Sequence, residues 1–441
     1  MKKILIILMV LVLAGCSATG NKLENTGVET RSPELVNTAF HELLLAGDYQ
    51  ALETDFVYSK DMIKFLEKTS MEDLFVELKT GKAVSQESSI RTEQGEFVVF
   101  STPTVFEQAS YNFNLVFNED NQIAGVNVAP YAPATESTST VDPTTFVEID
   151  TPLTGNGDPL PGLLTLPAGD GTYPVVILVH GSGASDKDET ILENKPFRDL
   201  AHGLAAKGIG SYRYDKRSFV YPEALMADQD LTLMEETVHD AVAASKLVAG
   251  LEGVSPDQVY VLGHSLGGHA IPLIAEASSA KGYIIMAGNV RPLEDLITEQ
   301  VTYLVNLDGQ VTAEEQTHLD QTLVEVDKIK ALDQLKDGET AMGLWPAYWA
   351  FLEAYDPLKQ AEAIGEKVLV LQGERDYQVT LEDFALWQDT FTGAGNWTFK
   401  SYPKLNHLMM PGEGVPSNMD YFQKNTVSDQ VIEDIADWIM E

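Results

Sequence analysis

The sequence is poor in cysteine and in basic residues. Only Cys16 is a cysteine among 441 residues, so no disulfide bond can form within the chain. Lysine and arginine number 29 against 67 aspartate and glutamate residues, which gives a formal net charge of −38. Such an acidic surface repels nucleic acids and anionic lipid headgroups. We therefore expect no nucleic-acid partner, and a chain this long has room for more than one domain.

The N-terminus lacks an apolar run long enough to span a bilayer. Lys2 and Lys3 precede the run ILIILMVLVLAGC. Its apolar part of about eleven residues is too short for a transmembrane helix and is typical of a signal peptide. Residues 13–16, LAGC, resemble the lipobox of bacterial lipoproteins, in which the signal is cleaved before the cysteine and the cysteine carries lipid. The resemblance implies a signal peptide at 1–15, lipidation of Cys16 and an extracytoplasmic, membrane-anchored protein. An ordinary cleaved signal peptide is the alternative.

Composition and periodicity divide the remaining chain into four regions. Residues 16–32 are small and polar, which is typical of a flexible tether. Residues 33–129 combine helical spacing with strand-like runs and predict a small α+β domain. Residues 130–143 are rich in proline, serine and threonine and predict a linker. Residues 144–441 form the fourth and longest region.

The small α+β domain contains no constellation of catalytic residue types. Leu35, Phe40 and Leu44 lie at helical spacing in its first helix, and His41 stands alone there, which favours a structural role. The runs EFVVFSTPTVF and YNFNLVFN predict strands. The pattern suits a cystatin-like or NTF2-like sheet. A membrane spacer, a partner-binding module and a part of the substrate entrance all remain open as its role.

The fourth region alternates strand and helix signals. Several strand candidates are continuous apolar runs, as in parallel strands that are covered on both faces. The helix-length segments between them predict a doubly wound, mostly parallel α/β sheet. Residues 291–363 interrupt the alternation with helical, charge-rich sequence and predict a cap inserted between two strands. The strand candidates are 146–149, 160–166, 175–179, 209–214, 259–262, 283–286, 368–371 and 398–402.

Ser265 lies in the pattern Gly-His-Ser-Leu-Gly, between a strand-like run and a helix-like run. A Gly-x-Ser-x-Gly pattern at such a junction is typical of the nucleophile elbow, a strained turn that holds a serine hydroxyl out of the fold. A serine in an ordinary glycine-rich loop is the alternative. As a nucleophile, Ser265 requires a base and an acid elsewhere in the sequence.

His407 is the predicted base and Asp376 the predicted acid. Of the eight histidines, only His407 follows the late strand at 368–371. The stretch GERD after that strand offers Asp376, with Glu374 as the alternative. A carboxylate bonded to one ring nitrogen would hold the tautomer whose other nitrogen faces the serine. His264 and His269 flank Ser265, where neither fits the role of base, so we expect them to be structural.

Two backbone N–H groups are predicted to form an oxyanion site. Leu266 follows the nucleophile and supplies one donor. The stretch HGSG after the strand at 175–179 supplies the other, which we assign to Ser182 with Gly181 as the alternative. A phosphate-binding role for this glycine-containing loop is weak, since no Gly-Lys-Ser/Thr sequence ends it.

Other residues offer roles in substrate binding. Trp345, Tyr348 and Trp349 belong to the aromatic segment MGLWPAYWAFLEAYDP of the predicted cap. They either pack the cap onto the core or line an acyl pocket, since ligand pockets are mostly apolar and aromatic. Asp188 and Arg217 follow predicted strands at the edge where α/β sheets build their sites. The first interpretation is a solvated charged loop for Asp188 and an ion pair at the rim of the site for Arg217. Orientation of a substrate by one of them is the second.

These motifs together resemble those of bacterial extracytoplasmic serine esterases of the α/β-hydrolase superfamily with a small N-terminal domain. The resemblance covers 144–441 through HGSGASDKDE, YRYDKRS, YDPLKQ and GERDYQV, and it is weaker in the N-terminal domain. It implies hydrolysis of a small-molecule carboxylic ester through an acyl-enzyme, with no metal or organic cofactor. A serine peptidase or acyl transferase on the same fold, and a non-catalytic binding lipoprotein, are the alternatives.

Overall fold

The computed structural model describes residues 32–66, 70–71, 82–86, 89–94, 97–107, 110–130, 141–336 and 338–441. These residues form two compact units, one with the elements from Pro33 to Pro130 and one with those from Pro143 to Met440. The predicted signal peptide, the predicted lipidation site Cys16 and nearly all of the predicted tether and linker lie outside the described residues. Within the described ranges, no helix is both long and apolar enough to cross a membrane.

The smaller unit packs short helices against an antiparallel sheet. Strand β3 lies centrally and pairs with β1, β2 and β4, while β5 pairs with β4. This arrangement confirms the predicted small α+β domain. The elements are α1 (Pro33–Ala46), α2 (Tyr49–Thr54), α3 (Lys60–Leu66), β1 (Ala83–Gln86), β2 (Ile90–Gln94), β3 (Phe97–Phe106), β4 (Ser110–Phe117) and β5 (Ile123–Pro130).

Helix α1 forms where the spacing predicts a helix, and it buries a stripe of side chains that does not include Leu35. Phe40 and Leu44 are fully buried in the domain core, as expected, together with Val36. Leu35 is 62% exposed. Positions 36, 40 and 44 recur every four residues on the buried face, and position 35 lies outside that stripe.

The larger unit is built on an eight-stranded sheet in the order β13-β12-β11-β10-β8-β9-β7-β6. The pairs from β9 to β13 are parallel, and β7 joins β9 and β6 through antiparallel pairs at one edge. All eight predicted strands are present. Their bounds are β6 (Phe146–Asp150), β7 (Gly162–Pro167), β8 (Tyr173–Val179), β9 (Gly210–Tyr214), β10 (Val254–His264), β11 (Gly282–Met286), β12 (Lys367–Gly373) and β13 (Trp397–Tyr402).

Helices cover both faces of this sheet. In β10, Val259 and Val261 face one apolar cluster, whereas Tyr260 and Leu262 face another, so both faces are buried. The helices are α4 (Pro196–Ala206), α5 (Arg217–Val220), α6 (Pro222–Ala227), α7 (His239–Val248), α8 (Leu266–His269), α9 (Ile271–Ala277), α10 (Leu293–Val305), α11 (Ala313–Ile329), α12 (Pro346–Ala354), α13 (Pro357–Ala361), α14 (Leu381–Phe391) and α15 (Asp429–Met440).

The connections create a topological switch point near the middle of the sheet. Strand β8 continues to β9 on one side, and the chain then crosses to β10 on the other side of β8. Strand order therefore reverses between β8 and β10, and ligands of open α/β sheets bind at the carboxyl ends of strands at such a switch point. The loop after β8 contains Ser182, and Ser265 follows β10 directly.

The cap is inserted between β11 and β12, as the sequence predicts. Helices α10 to α13 span most of 291–363. Helix α11 begins with a capping box, in which Thr312 accepts from the Glu315 amide and the Glu315 carboxylate accepts from the Thr312 amide. A small apolar cluster holds the cap together around Ile329, Ala341 and Trp349.

Candidate active site

Ser265 occupies a strained turn between β10 and α8. Its φ of 55° and ψ of −120° are rare for a residue with a side chain. Such a conformation costs on the order of 1–3 kcal/mol and persists only where the surroundings fix it. Here the Ser265 amide donates to the Met286 carbonyl at 2.9 Å, and the Ser265 carbonyl accepts from the His269 amide at 3.0 Å. The turn has the geometry of a nucleophile elbow.

Two glycines allow the loops to approach this turn. A Cβ at Gly267 would lie 2.4 Å from the Val179 carbonyl oxygen, so only glycine lets α8 pack against the end of β8. A Cβ at Gly181 would lie 2.9 Å from the Ser265 Cβ. The loop after β8 therefore lies directly against the serine.

The structure brings His407 and Asp376 together. His407 Nδ1 lies 2.6 Å from Asp376 Oδ2, and both residues are buried. The other carboxylate oxygen of Asp376 accepts from the amides of Gln378 and Val379 at 2.8 and 3.0 Å. The Gln372 side chain donates to Asp376 Oδ2 at 3.1 Å. These contacts fix the carboxylate and the ring, and the carboxylate favours a proton on Nδ1.

The alternative acid, Glu374, points elsewhere. Its exposed carboxylate accepts from the Ser401 hydroxyl at 2.8 Å. Asn406, which sequence reasoning missed, shapes the loop of the histidine instead. Its side-chain oxygen accepts from the amides of Leu408 and Met410 at 3.0 and 3.1 Å. Only Asp376 of the two candidate acids contacts the His407 ring.

The two alternative oxyanion donors after β8 differ in their contacts. The Gly181 amide already donates to Glu189 Oε1 at 2.8 Å, which favours Ser182. On the other side of the site, Leu266 is the first residue of α8, where an amide has no partner within the helix. The amides of Leu266 and Ser182 belong to the two segments that flank Ser265.

A buried pair that sequence reasoning missed joins the segments around Ser265. Glu189 Oε2 lies 2.9 Å from His264 Nδ1, while His264 Nε2 lies 2.9 Å from the His407 carbonyl oxygen. The Glu189 backbone has a φ of 52°, in the left-handed region. His264 immediately precedes the serine, and Glu189 lies in the quoted HGSGASDKDE loop. Their positions were therefore visible in the sequence, but their contact required the folded loop.

His264 Nε2 faces the His407 carbonyl oxygen and Nδ1 faces the Glu189 carboxylate, an arrangement that favours the imidazolium form. Burial alone would lower the pKa of His264, but the Glu189 carboxylate outweighs it and raises the pKa above its ordinary value. Burial likewise favours a protonated Glu189, and His264 outweighs it and lowers the pKa of that carboxyl. Both shifts favour the charged forms, and the pair ties the elbow to the loops of Gly181 and His407.

Asp188 and Arg217 both take part in ion pairs. Asp188 pairs with Arg213, whose guanidinium is buried and also contacts Glu148. Arg217 donates to both carboxylate oxygens of Asp240, at 3.0 and 2.7 Å. The contacts of Arg217 agree with its first interpretation as an ion pair, whereas Asp188 is paired and partly buried and not part of a solvated loop.

The polar atoms of the three cap aromatics all form hydrogen bonds within the protein. The Trp345 indole donates to the Met226 carbonyl at 2.7 Å, and the Trp349 indole donates to the Ala341 carbonyl at 2.8 Å within the cap. The Tyr348 hydroxyl donates to the buried Glu236 carboxylate at 2.6 Å. Tyr348 and Trp349 are buried, whereas Trp345 remains partly exposed. Across the described ranges, no group of three His, Cys, Asp or Glu side chains is placed to hold a metal ion.

Comparison with known proteins gives the family. The family model described as "Alpha/beta hydrolase family" matches residues 176–413. Esterase EstD of Thermotoga maritima is 36% identical over 349 residues, which are 79% of this chain and 81% of that protein. The chain therefore belongs to the alpha/beta hydrolase family, and it is a hydrolase of the esterase type.

Solved structures with low sequence identity are also similar. Est1E from Butyrivibrio proteoclasticus is 17% identical with a TM-score of 0.42, over 66% of this chain and 97% of that one. A hyperthermophilic esterase from Pyrobaculum calidifontis is 16% identical with a TM-score of 0.43, over 66% of this chain and 85% of that one. These scores are too low to carry an argument, so the family rests on the family model and on EstD.

Proposed function

We propose that the chain hydrolyses carboxylic esters through a Ser265–His407–Asp376 triad. The observation that carries the proposal is the 2.6 Å contact of His407 Nδ1 with Asp376 Oδ2, at the same sheet edge as the Ser265 elbow. The backbone N–H groups of Leu266 and Ser182 would stabilise the oxyanion. Preorganised donors of this kind contribute about 3 kcal/mol each to lowering the barrier.

The reaction proceeds in two acyl-transfer steps. Ser265 Oγ attacks the acyl carbon while His407 Nε2 takes its proton. His407 then protonates the leaving alcohol as the tetrahedral intermediate collapses to an acyl-enzyme. Water, deprotonated by His407, attacks the acyl-enzyme, and the collapse of the second intermediate releases the acid and restores the serine. Asp376 holds the tautomer of His407 and stabilises the imidazolium in both steps.

The substrate class is small to medium acyl esters, with the cap above the site. Trp345 is the partly exposed member of the three cap aromatics and is the one that we retain as a pocket wall; Tyr348 and Trp349 would support it from the interior. A series of p-nitrophenyl esters of increasing acyl length, assayed on the wild type and on Trp345→Ala, tests this. The proposal predicts a change in chain-length preference, and an unchanged preference would contradict it.

The site of action is outside the cytoplasm, on a lipid anchor at Cys16. The support is the LAGC sequence after a short apolar run that follows two lysines. Acyl chains stabilise membrane binding by ~0.8 kcal/mol for each buried CH₂ group, so a Cys16→Ser variant should leave the membrane fraction. Retention of that variant in the membrane would contradict the anchor without touching the proposed chemistry.

The experiment for the triad compares two serines at opposite ends of strand β10. Ser265→Ala should abolish p-nitrophenyl acetate hydrolysis while the thermal unfolding curve stays in place. Ser255→Ala, at the other end of β10, is the matched control and should keep wild-type turnover. Wild-type turnover in Ser265→Ala would overturn the proposal. Hydrolysis of aminoacyl amides in preference to esters would favour the peptidase alternative.

A further inference from the structure

We propose that Lys216 is a positioning residue that orients the Ser182 oxyanion donor, and that Glu236 and Tyr348 couple it to the cap. The inference rests on the proposed ester hydrolysis and assigns a role to three residues that this chemistry leaves unused. Lys216 Nζ donates to the Gly181 carbonyl oxygen at 2.8 Å. It follows β9, and its own amide is held by the Ser185 carbonyl at 2.9 Å.

The contact acts through a single peptide group. The Gly181 carbonyl and the Ser182 N–H belong to the same planar unit, and the described chain contains no cis peptide bond. In a trans peptide the oxygen and the hydrogen point in opposite directions. An ammonium fixed on the oxygen therefore directs the Ser182 N–H away from Lys216 and fixes its plane. The same charge polarises the peptide and strengthens its N–H as a donor.

The Gly181 amide is hydrogen-bonded to a second buried charged group, the Glu189 carboxylate. It donates to Glu189 Oε1 at 2.8 Å, so the N–H of Gly181 binds a carboxylate and the carbonyl of Gly181 binds an ammonium group. Glycine is required here by its close approach to Ser265, and glycine is the residue with the freest backbone. The two charged contacts supply the rigidity that this residue lacks.

Lys216 is itself held by a chain of buried contacts that ends in the cap. Its ammonium lies 2.7 Å from Glu236 Oε1, and only 2% of Lys216 and 8% of Glu236 are exposed. Glu236 Oε2 accepts from the Tyr348 hydroxyl of cap helix α12 at 2.6 Å. Burial raises the pKa of Tyr348 well above its ordinary value, so the hydroxyl keeps its proton and donates.

The position of Glu236 supports a functional role. It lies in the π-helical turn Met234–Val238, and such turns occur frequently at functional sites. A buried ion pair is also a weak device for stability alone, since its replacement by apolar residues is often neutral or stabilising. Removing both charges of a purely structural pair should leave kcat unchanged, whereas removing both charges of a positioning pair should lower it.

The test removes both charges together, in Lys216→Met/Glu236→Gln, so that neither is left unpaired. Initial rates with p-nitrophenyl acetate give kcat and KM, and a trifluoromethyl ketone probes tetrahedral binding. Loss of a whole oxyanion donor lowers kcat by roughly 10²–10³, so a misaligned donor should lower it by roughly 10- to 100-fold. Affinity for the ketone should fall in parallel, while KM changes little.

Two further variants complete the design. Lys207→Met makes the same change at the exposed pair with Glu433, at the end of α4 and before the start of β9, and should leave kcat unchanged. Tyr348→Phe removes only the cap contact and should lower kcat and ketone affinity by a smaller factor, roughly 3- to 10-fold, because the ion pair of Lys216 with Glu236 stays in place. It also carries the test if the double variant does not fold.

The outcomes separate the inference from the function. A folded double variant with wild-type kcat and ketone affinity overturns the positioning role. If the double variant does not fold, wild-type kcat and ketone affinity in Tyr348→Phe overturn the coupling to the cap and, with it, the proposal. Activity that persists in Ser265→Ala overturns the proposed function whatever the lysine variants do. A dead Ser265→Ala enzyme together with a fully active double variant leaves the function standing and removes the inference alone.

Discussion

Strand β8 and the loop that follows it are adjacent in the chain, but the strand buries apolar side chains and the loop contacts buried charges. The strand buries a run of side chains with no polar atom: Val175, Val176, Ile177, Leu178 and Val179. The loop beyond it meets buried charges on both sides of Gly181, from Glu189 and from Lys216. Apolar burial stabilises the sheet by roughly 25 cal/mol per Å², whereas buried charges cost free energy unless they are paired. The contrast indicates that the sheet supplies stability and its carboxyl edge supplies chemistry.

The largest expected effect on kcat is that of Asp376→Asn, at the carboxyl edge of the sheet. The amide can no longer hold the required tautomer of His407, and a substitution of this kind in a known triad lowers kcat about 10⁴-fold. Stability should change little, because the amide oxygen still accepts from Gln378 and Val379. Steady-state kinetics and a thermal melt check the two halves. A large loss of stability with normal kcat would contradict the separation of chemistry from stability.

The next largest effect is expected when the buried pair of Glu189 and His264, at the carboxyl edge of the sheet, is broken. Glu189→Gln leaves the buried His264 imidazolium without a counter-charge, and breaking a buried pair in this way costs about 3–5 kcal/mol of unfolding free energy. A neutral amide oxygen would then hold the Gly181 N–H less strongly than the carboxylate does, so kcat of the folded enzyme should fall as well. Urea unfolding and initial rates measure the two changes. Unchanged kcat in the folded variant would make the pair a purely structural one.

A matched substitution in the centre of the sheet should lose stability alone. Ile284 of β11 is fully buried in the apolar cluster below the sheet edge. Ile284→Ala leaves a cavity and should lower the unfolding free energy by about 2–5 kcal/mol. The folded fraction should retain wild-type kcat and KM at low temperature. A fall in kcat as large as that of Glu189→Gln would erase the distinction between centre and edge.

A smaller effect should appear in the dependence of stability on pH. The pKa of His264 is raised above 6.5, so its contribution is complete below pH 6.5 and is lost as pH rises through the raised value. The pKa of Glu189 is lowered below 4.5, so its contribution is complete above pH 4.5 and is lost as pH falls through the lowered value. The stability advantage of wild type over Glu189→Gln should therefore be greatest between these limits. Melting curves in buffers from acid to alkaline pH would show a flat difference if the pair were not charged.

The smallest effect is expected at the exposed carboxylate near the triad. Glu374 contacts Ser401 and not His407, so Glu374→Gln should leave kcat within about 2-fold, as is usual for a surface substitution. Glu374→Gln and Asp376→Asn are to be measured in the same kinetic assay, so that each serves as the control for the other. A loss comparable with that of Asp376→Asn would exchange the roles of the two acids.

Much of the fold was predictable because it depends on local patterns. Continuous apolar runs gave the strands, and the spacing of turns gave their alternation with helices. The Gly-His-Ser-Leu-Gly stretch indicated the elbow because close contacts and a positive φ demand small neighbours around Ser265. Helical spacing does not say which face of α1 is buried, and Leu35 is exposed because the sheet on which the helix packs decides that.

The buried charges around the site were not predictable, because their partners meet only through tertiary structure. His264 could be read as a packing residue, and Lys216 as part of a surface ion pair. Their roles depend on which carboxylates and carbonyls the loops present, and loops have no periodicity from which to infer contacts. Tyr348 shows the same limit, since its aromatic ring predicted a buried position but not its hydrogen bond to Glu236.

The most direct test is to find which residue a fluorophosphonate probe modifies. The probe reacts with a serine that a neighbouring base has activated, so peptide mass analysis should place the adduct on Ser265 in the wild type. Labelling should slow by orders of magnitude in His407→Ala. An adduct on another residue, or undiminished labelling without the imidazole, would contradict the account.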